Sequence, residues 1–339
     1  MYLGYYGLKE LPFALTPDPR YLYFTPSHTE AIANLQYGIE SGRGLIVITG
    51  EVGTGKTTIL RWMLSRLDRT VMSAYIFNPR LSVAEFYQHI ATLLDLRNWE
   101  SKSDLLMTLG QTLESRHARG LRTVLVVDEA HGLPANVLEE IRLLLNFETD
   151  TSKQLQIVLA GQPEMREVLN NPELRQLKQR IALRCEIAPL PDTEETERYI
   201  VSRLLVAGAQ RTTIFEPEAV DYIFRCSEGI PRQINNLCDN TLLAGFAAGE
   251  KNINRELVEE VAENFDMLPP SEFAGLPAIG RVTTAPVLSS AGHAELLAAH
   301  SAPPLPLRDF TIRSEPLEKN GAGEEDSKLA YLRPSSYGR

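Results

Sequence analysis

The sequence predicts an α/β protein, with a parallel five-stranded sheet flanked by helices and followed by a small all-helical region. Three observations lead there: short apolar, β-branched runs recur along the first half, segments of helical period separate them, and the strand pattern stops after Pro191. The runs are "GLIVIT" (44–49), "VMSAYIF" (71–77), "TVLVVD" (123–128), "LQIVLAG" (155–161) and "ALRCEIA" (182–188). Four are nearly continuous in apolar residues, as strands covered by helices on both faces should be. Between them "SVAEFYQHIATLLDL", "DLLMTLGQTLESRHA" and "PANVLEEIRLLLNFE" carry helical period. Strands alternating with helices build a parallel sheet.

Beyond Pro191, "DTEETERYIVSRLLVAGA", "EPEAVDYIFRCSEG", "PRQINNLCDNTLLAGFAAG" and "NRELVEEVAENF" read as four helices. Asp192 and the Glu216-Pro217 pair open the first two in helix-start style. The expected organisation is therefore an α/β domain over 1–190, a helical domain over 191–267 and a tail over 268–339. Nine of the 21 prolines fall in that tail among Ala, Ser and Gly, a composition of a disordered segment or linker.

The 339 residues, 43% hydrophobic and 23% charged, are enough to bury a sizeable core. No apolar run reaches the roughly 18 residues a membrane span needs. The first residues, "MYLGYYGLKELPF", show no basic segment leading into an apolar one, so a cytoplasmic protein is expected, peripheral at an inner membrane only through a partner. Cys185, Cys226 and Cys238 stand far apart without a C-x-x-C pair, which argues against a zinc site or a disulfide framework. The net charge is -10, and the last 72 residues, with seven basic and eight acidic side chains, account for little of it. An acidic body disfavours broad binding to phosphate backbones, so nucleic acid is a possible partner but not the favoured one.

"GEVGTGKT", Gly50 to Thr57, fits G-x-x-x-x-G-K-[ST], follows the first apolar run and opens a helical stretch. Glycines 50, 53 and 55 let the backbone N–H groups turn inward on a phosphate, and the helix N-terminus adds its dipole. The expected nucleotide contacts are Gly50, Glu51, Val52, Gly53, Thr54, Gly55, Lys56, Thr57 and Thr58. Lys56 would bridge the β- and γ-phosphates of ATP, and Thr57 would place its hydroxyl on Mg2+. "TVLVVDEA" supplies the second half: Asp128 at the carboxyl end of a strand would hold the metal through water, and Glu129 would orient the attacking water as general base. Together these motifs define a P-loop nucleotide hydrolase.

Residues 128–131 read DEAH, a tetrapeptide shared with a class of helicases. Such helicases carry two sheet domains in tandem, a Ser-Ala-Thr element and a Q-R-x-G-R-x-G-R element. Only one sheet domain is read here, and "QRIALR" (179–184) lacks the glycine. His131 is accordingly expected to support the strand end or the residues that carry the chemistry, rather than take part in the chemistry itself.

The chain instead resembles the AAA+ ATPases. "AGQPEM" places Gln162 where that family keeps its sensor 1 residue, although Asn, Thr or Ser is more usual there. "LKQRIALRCEIAPL" resembles the arginine-finger segment of the initiator-like branch, with Arg180 at the finger position, and "EGIPRQINNLCD" resembles the sensor 2 element, with Arg232 contacting the γ-phosphate. Read from the residues alone, Arg180 is a cation at a helix C-terminus, and Arg232 a surface residue after a turn. Over about residues 1–267 the likeness extends to the general secretion pathway protein A (ExeA-like) ATPases. It rests on "PFALTPDPRYLYFTPSHTEAIANLQYGI", "GLIVITGEVGTGKTT", "VLVVDEAHGLPANVLEEIRLLLNFE", "LQIVLAGQPE" and "GIPRQINNLCD". The resemblance implies a helical lid over the nucleotide and a homo-oligomer with ATP at subunit interfaces. It also implies an adenine-side segment over 1–43 with contacts at Tyr23, Phe24 and Thr25, which could equally just cover the sheet.

ATPases of this type continue into a membrane span and a peptidoglycan-binding domain, and neither is read in this sequence. The expected function is an oligomeric, ATP-hydrolysing motor or switch with a protein partner in a bacterial secretion, envelope or surface-polysaccharide system. The alternative is a DNA-loading ATPase like the initiators and transposition helpers.

Overall fold

The computed structural model describes residues 2–269 apart from 17, 69, 78 and 79; from residue 270 on, the predicted Pro-rich tail lies outside the described residues. Five strands form one sheet: β1 (Leu45–Gly50), β2 (Val71–Phe77), β3 (Arg122–Asp128), β4 (Gln156–Gly161) and β5 (Ile181–Ile187). Every predicted run became a strand, within a residue of its expected ends. The order across the sheet is β2-β3-β4-β1-β5, and all pairings are parallel. Chain order and sheet order differ because β4 is inserted between β1 and β3.

Among the described residues twelve α-helices precede, flank or follow the sheet: α1 (Tyr2–Tyr6), α2 (Pro26–Glu40), α3 (Lys56–Arg66), α4 (Val83–Leu93), α5 (Lys102–Ala118), α6 (Ala135–Leu144), α7 (Met165–Asn170), α8 (Arg175–Gln179), α9 (Thr193–Val206), α10 (Pro217–Ser227), α11 (Pro231–Ala248) and α12 (Arg255–Asn264). Their ends are chemically marked. Thr25, Ser82 and Ser101 cap α2, α4 and α5 in reciprocal capping boxes, and the Asp192 carboxylate accepts from the Glu195 N–H at the start of α9. Each such cap contributes about 1 kcal/mol.

The period-2 geometry of a strand sorts the sheet residues between two cores. Leu45, Val47, Leu125, Val127, Ile157 and Leu159 pack with residues of α4, α5, α6 and α7. Ile46, Ile48, Val124, Val126, Val158 and Ala160 pack with residues of α2 and α3. Burial on both faces explains why β1, β3 and β4 read as unbroken apolar runs. Edge strands β2 and β5 are only partly buried.

A third core joins α9, α10, α11 and α12 to the start of the chain, through Tyr2, Tyr6, Leu8, Phe13 and Tyr21. Polar bonds fasten the two ends: the Tyr2 hydroxyl donates to Asp239 and the Tyr6 hydroxyl to the Glu250 carbonyl at 2.9 Å. Buried Arg203 of α9 donates to the Pro12 carbonyl at 2.6 Å and to the Tyr199 hydroxyl at 3.2 Å. Among the described residues no helix is long and apolar enough to cross a membrane. Cys185, Cys226 and Cys238 are buried free thiols.

Candidate active site

The carboxyl ends of β1, β3 and β4 lie along one edge of the sheet, with Phe77 level with Asp128 and Thr49 level with Gly161. The phosphate-type loop follows β1 at this edge, and α3 begins at Lys56. Gly53 (φ +87°) and Gly55 (φ +99°) hold left-handed backbone, and a Cβ on Gly53 would stand 2.5 Å from the Arg232 Cβ. Only glycine permits both that backbone and that approach. Gly50, Glu51, Val52, Thr54 and Thr58 complete the stretch, with the Thr54 hydroxyl donating to the Glu51 carbonyl at 2.9 Å.

Lys56 is 5% exposed and its ammonium donates to the carbonyls of Gly50 (2.7 Å) and Glu51 (2.8 Å). Burial lowers its pKa, and the carboxylates of Glu129, Asp128, Glu51 and Glu164 oppose that shift. Thr57 donates its hydroxyl to Asp128 Oδ2 at 2.7 Å, so the threonine of α3 and the aspartate ending β3 meet across the intervening strand. Asp128 is fully buried, and its Oδ1 accepts the Glu129 N–H at 2.9 Å.

Glu129 has left-handed backbone (φ +53°), a conformation costing a non-glycine residue about 1–3 kcal/mol that the surrounding structure must supply. It swings the Glu129 carboxylate toward β4, where Gln162 Nε2 donates to Oε2 across a long 3.4 Å and His131 Nδ1 lies 3.6 Å from the same oxygen. The Gln162 N–H in turn points at His131 Nδ1 from 3.4 Å. His131, expected to support the strand end, thus stands directly between the Glu129 carboxylate and the start of the Gln162 segment.

Two further residues belong to this edge and were not singled out from the sequence. Tyr75 of β2 donates its hydroxyl to Asp128 Oδ2 at 2.6 Å, and burial, with the Asp128 charge, pushes the phenol pKa far up. His28 of α2, 4% exposed, joins its Nε2 to the Thr54 carbonyl at 3.1 Å and its Nδ1 to the Thr25 hydroxyl at 2.7 Å. Because the Thr25 N–H also points at Nδ1, the neutral ring donates from Nε2, and burial lowers its pKa. A histidine three residues after a Thr-Pro helix start is the only signal the sequence carries of this brace.

The remaining candidates divide. Arg232 sits in the first turn of α11, its N–H donating to the Gly53 carbonyl at 3.2 Å, so the helix seats directly on the loop while the side chain is exposed. Tyr23 donates to Glu195 at 2.8 Å and packs on Tyr199, Phe24 packs edge-on against Trp62 of α3, and Thr25 is the buried cap of α2. These three therefore tie the segment before α2 to α9 and α3. Arg180 lies at the opposite edge: it follows α8 and precedes Ile181, which is level with Leu45 at the start of β1, whereas the loop follows Gly50 at its end. Five strand residues at about 3.3 Å each put Arg180 roughly 16 Å from the loop of its own chain. Half-buried there, with Arg43 and Lys153 beside a cavity of about 300 Å³, it keeps a buried Nη1 with no hydrogen-bond partner.

The donor set suits a nucleotide triphosphate with a hard divalent cation. The loop has the left-handed glycines such a cradle needs, and Thr57 and Asp128 present a hydroxyl and a carboxylate within one hydrogen bond. Among the described residues no group of three His, Cys, Asp or Glu could hold a metal by itself. A cation here would complete its shell with phosphate and water, as Mg2+ commonly does.

Residues 39–169 match the sequence family described as "AAA domain". The matched part runs from the end of α2 through β1 to β4 and into α7. Its sheet and flanking helices have the AAA+ P-loop fold, and solved structures agree: Cdc6p from Pyrobaculum aerophilum (TM-score 0.59, 19% identity, covering 75% of this chain and 70% of that one) and ORC2 from Aeropyrum pernix (0.55, 18%, 75% and 71%). Drosophila ORC bound to DNA has the same fold at a TM-score of 0.55 and 18% identity, covering 75% of this chain and 66% of that one. The chain is also 44% identical over 255 residues to general secretion pathway protein A of Aeromonas hydrophila. That alignment covers 75% of this chain and 46% of the relative, so the chain spans less than half the length of the protein it matches.

Proposed function

We propose that the chain binds ATP with Mg2+ at the loop edge, hydrolyses it, and works as an oligomer that reports its nucleotide state to a protein partner. The observation that carries this reading is the meeting of Thr57 with buried Asp128 at 2.7 Å beside Glu129. The backbone of residues 50–58 binds and orients the phosphates, and Lys56 exchanges the carbonyls of Gly50 and Glu51 for phosphate oxygens. Bound Mg2+ supplies charge neutralisation for the phosphate oxygens, with Thr57 and Asp128 as the groups that hold it. Glu129 holds the attacking water and takes its proton. Gln162 and His131, now turned to the Glu129 carboxylate, set where that carboxylate points.

Arg180 lies too far from the loop of its own chain to act there, which supports a role toward a neighbouring copy. Its Nη1 has no hydrogen-bond partner within the chain, and the half-buried side chain would turn outward to meet an anionic group such as the γ-phosphate held by that copy. Arg232, carried on the helix seated on Gly53, acts on the γ-phosphate within the chain and couples α9–α12, as a lid, to the loop. The partner class is taken from the 44% identity to a secretion-pathway protein: a component of a bacterial secretion or envelope assembly system. The initiator-like fold alone does not favour DNA.

Steady-state ATP hydrolysis with and without DNA at about 0.15 M salt tests the reading, since nonspecific electrostatic contacts weaken there. The expectation is Mg2+-dependent turnover that rises with protein concentration and ignores DNA. Absence of turnover at every concentration, or turnover that appears only with DNA, would sink it.

A further inference from the structure

Asp128 is fully buried, and both carboxylate oxygens are engaged from three directions. Oδ1 accepts the Glu129 N–H at 2.9 Å, and Oδ2 accepts two hydroxyls, from Thr57 of α3 at 2.7 Å and from Tyr75 of β2 at 2.6 Å. By donating its proton to Asp128, Thr57 keeps its own oxygen lone pairs free for a cation. Tyr75 has no such second use. Phenylalanine would fill the same space without desolvating a hydroxyl, so what the hydroxyl adds is its bond to Asp128. Behind it stands Arg61, one helical turn after Thr57, whose positive charge acts on the Tyr75 hydroxyl and whose Nε is buried with no hydrogen-bond partner.

We propose that Tyr75 is a positioning residue for the divalent-cation site: with Arg61 behind it, its hydroxyl locks the Asp128 carboxylate in the orientation that faces Thr57. With the Glu129 N–H on Oδ1 and Thr57 on Oδ2, the Tyr75 hydroxyl is a third donor, and the one that stays on Oδ2 when the Thr57 hydroxyl turns to a cation. The geometry is available only because β2 is the neighbour of β3, with Tyr75 level with Val126 and Phe77 level with Asp128. From there a side chain as long as tyrosine reaches the strand end. Arg61 adds a positive charge beside the Tyr75 hydroxyl, in addition to the Lys56 ammonium that already interacts with Asp128.

The inference rests on the reading of Asp128 as a cation-holding residue, and the test separates the two. A fluorescent ADP analogue is titrated onto the full chain at increasing Mg2+, and again in excess chelator. The Tyr75→Phe protein is expected to need about tenfold more Mg2+ for half-maximal tightening, the equivalent of about 1.4 kcal/mol, while its metal-free affinity stays at the parent value. A merely structural tyrosine would move both affinities together. Arg61→Gln, which leaves the ring in place, is expected to shift the Mg2+ requirement two- to fivefold in the same direction and decides the matter if Tyr75→Phe does not fold. Parent-like Mg2+ dependence in both variants overturns the role of Tyr75 and leaves Asp128 intact. A parent whose ADP affinity ignores Mg2+ overturns both.

Discussion

The two edges of the sheet differ in one respect. At the carboxyl edge most of the ionisable groups are engaged within the chain, Arg61 Nε being a buried exception: Lys56 on two carbonyls, Asp128 on three donors, His28 on Thr54 and Thr25, Glu129 beside Gln162 and His131. At the amino edge Lys153 is satisfied by Glu148 and the Leu145 carbonyl, and Arg43 by the Tyr37 hydroxyl, but buried Arg180 Nη1 has no partner. A buried donor left unmade costs about 1–3 kcal/mol. The difference teaches that the groups of the candidate site are held by the chain itself, while Arg180 at the amino edge is a cation that the chain leaves unpaired.

The largest effect should come from breaking the incomplete edge. Arg180→Ala is expected to lower assembly-stimulated ATP turnover by roughly 10³ to 10⁵-fold, with ATP affinity of the dilute protein unchanged. Turnover measured across protein concentrations checks it, and parental turnover at high concentration would remove Arg180 from the chemistry. Next is the complete edge: Glu129→Gln should lose roughly 10² to 10⁴-fold in turnover at every concentration while keeping nucleotide affinity. Parent-rate hydrolysis would show that another group takes the proton.

Smaller changes probe how the complete edge is held. Gly53→Ala forces a side chain into left-handed backbone and against Arg232, so a loss of about 1–3 kcal/mol of stability is expected, read in thermal or denaturant melts. An unchanged midpoint would mean that α11 is free to move away. The least effect concerns His28, whose burial holds it neutral with a lowered pKa. The unfolded chain then binds more protons than the folded one below about pH 6.5, so His28 makes stability fall as pH drops through that value and leaves it unaffected above. The stability difference between the parent and His28→Gln should therefore change below pH 6.5 and stay flat above it. A flat difference throughout would show His28 titrating as it does in the unfolded chain.

Much of the fold was legible because it is written locally. The five apolar runs became β1 to β5, most plainly β1, β3 and β4, since a strand buried on both faces is apolar nearly throughout. Asp192 opened α9 because its short carboxylate can reach a free N–H of the first turn. The loop at 50–57 was legible for the same reason: its glycines, lysine and threonine are adjacent in sequence. Tyr75 was not, because it looks like one aromatic among several until β2 is placed beside β3. His131 was expected in a supporting place, but its partners were only half legible for a related reason. Its nearness to Glu129 is trivial in sequence, but its nearness to Gln162 depends on β4 lying next to β3. The aromatic residues at 2, 6 and 13 carried no hint that they close the core of α9–α12 some 200 residues later in the chain.

What the sequence determined by itself was the set of elements and the residues that make up the 50–57 loop and the acidic pair, because hydrophobic period, capping and loop geometry act over a few residues. What only the tertiary structure decided was adjacency: the order β2-β3-β4-β1-β5, the meeting of Thr57, Tyr75 and Asp128 on one carboxylate, and the separation of Arg180 from its own loop. The physical reason is that strand neighbours are chosen by burial summed over the whole sheet, a quantity to which residues dozens of positions apart contribute and which no local window contains.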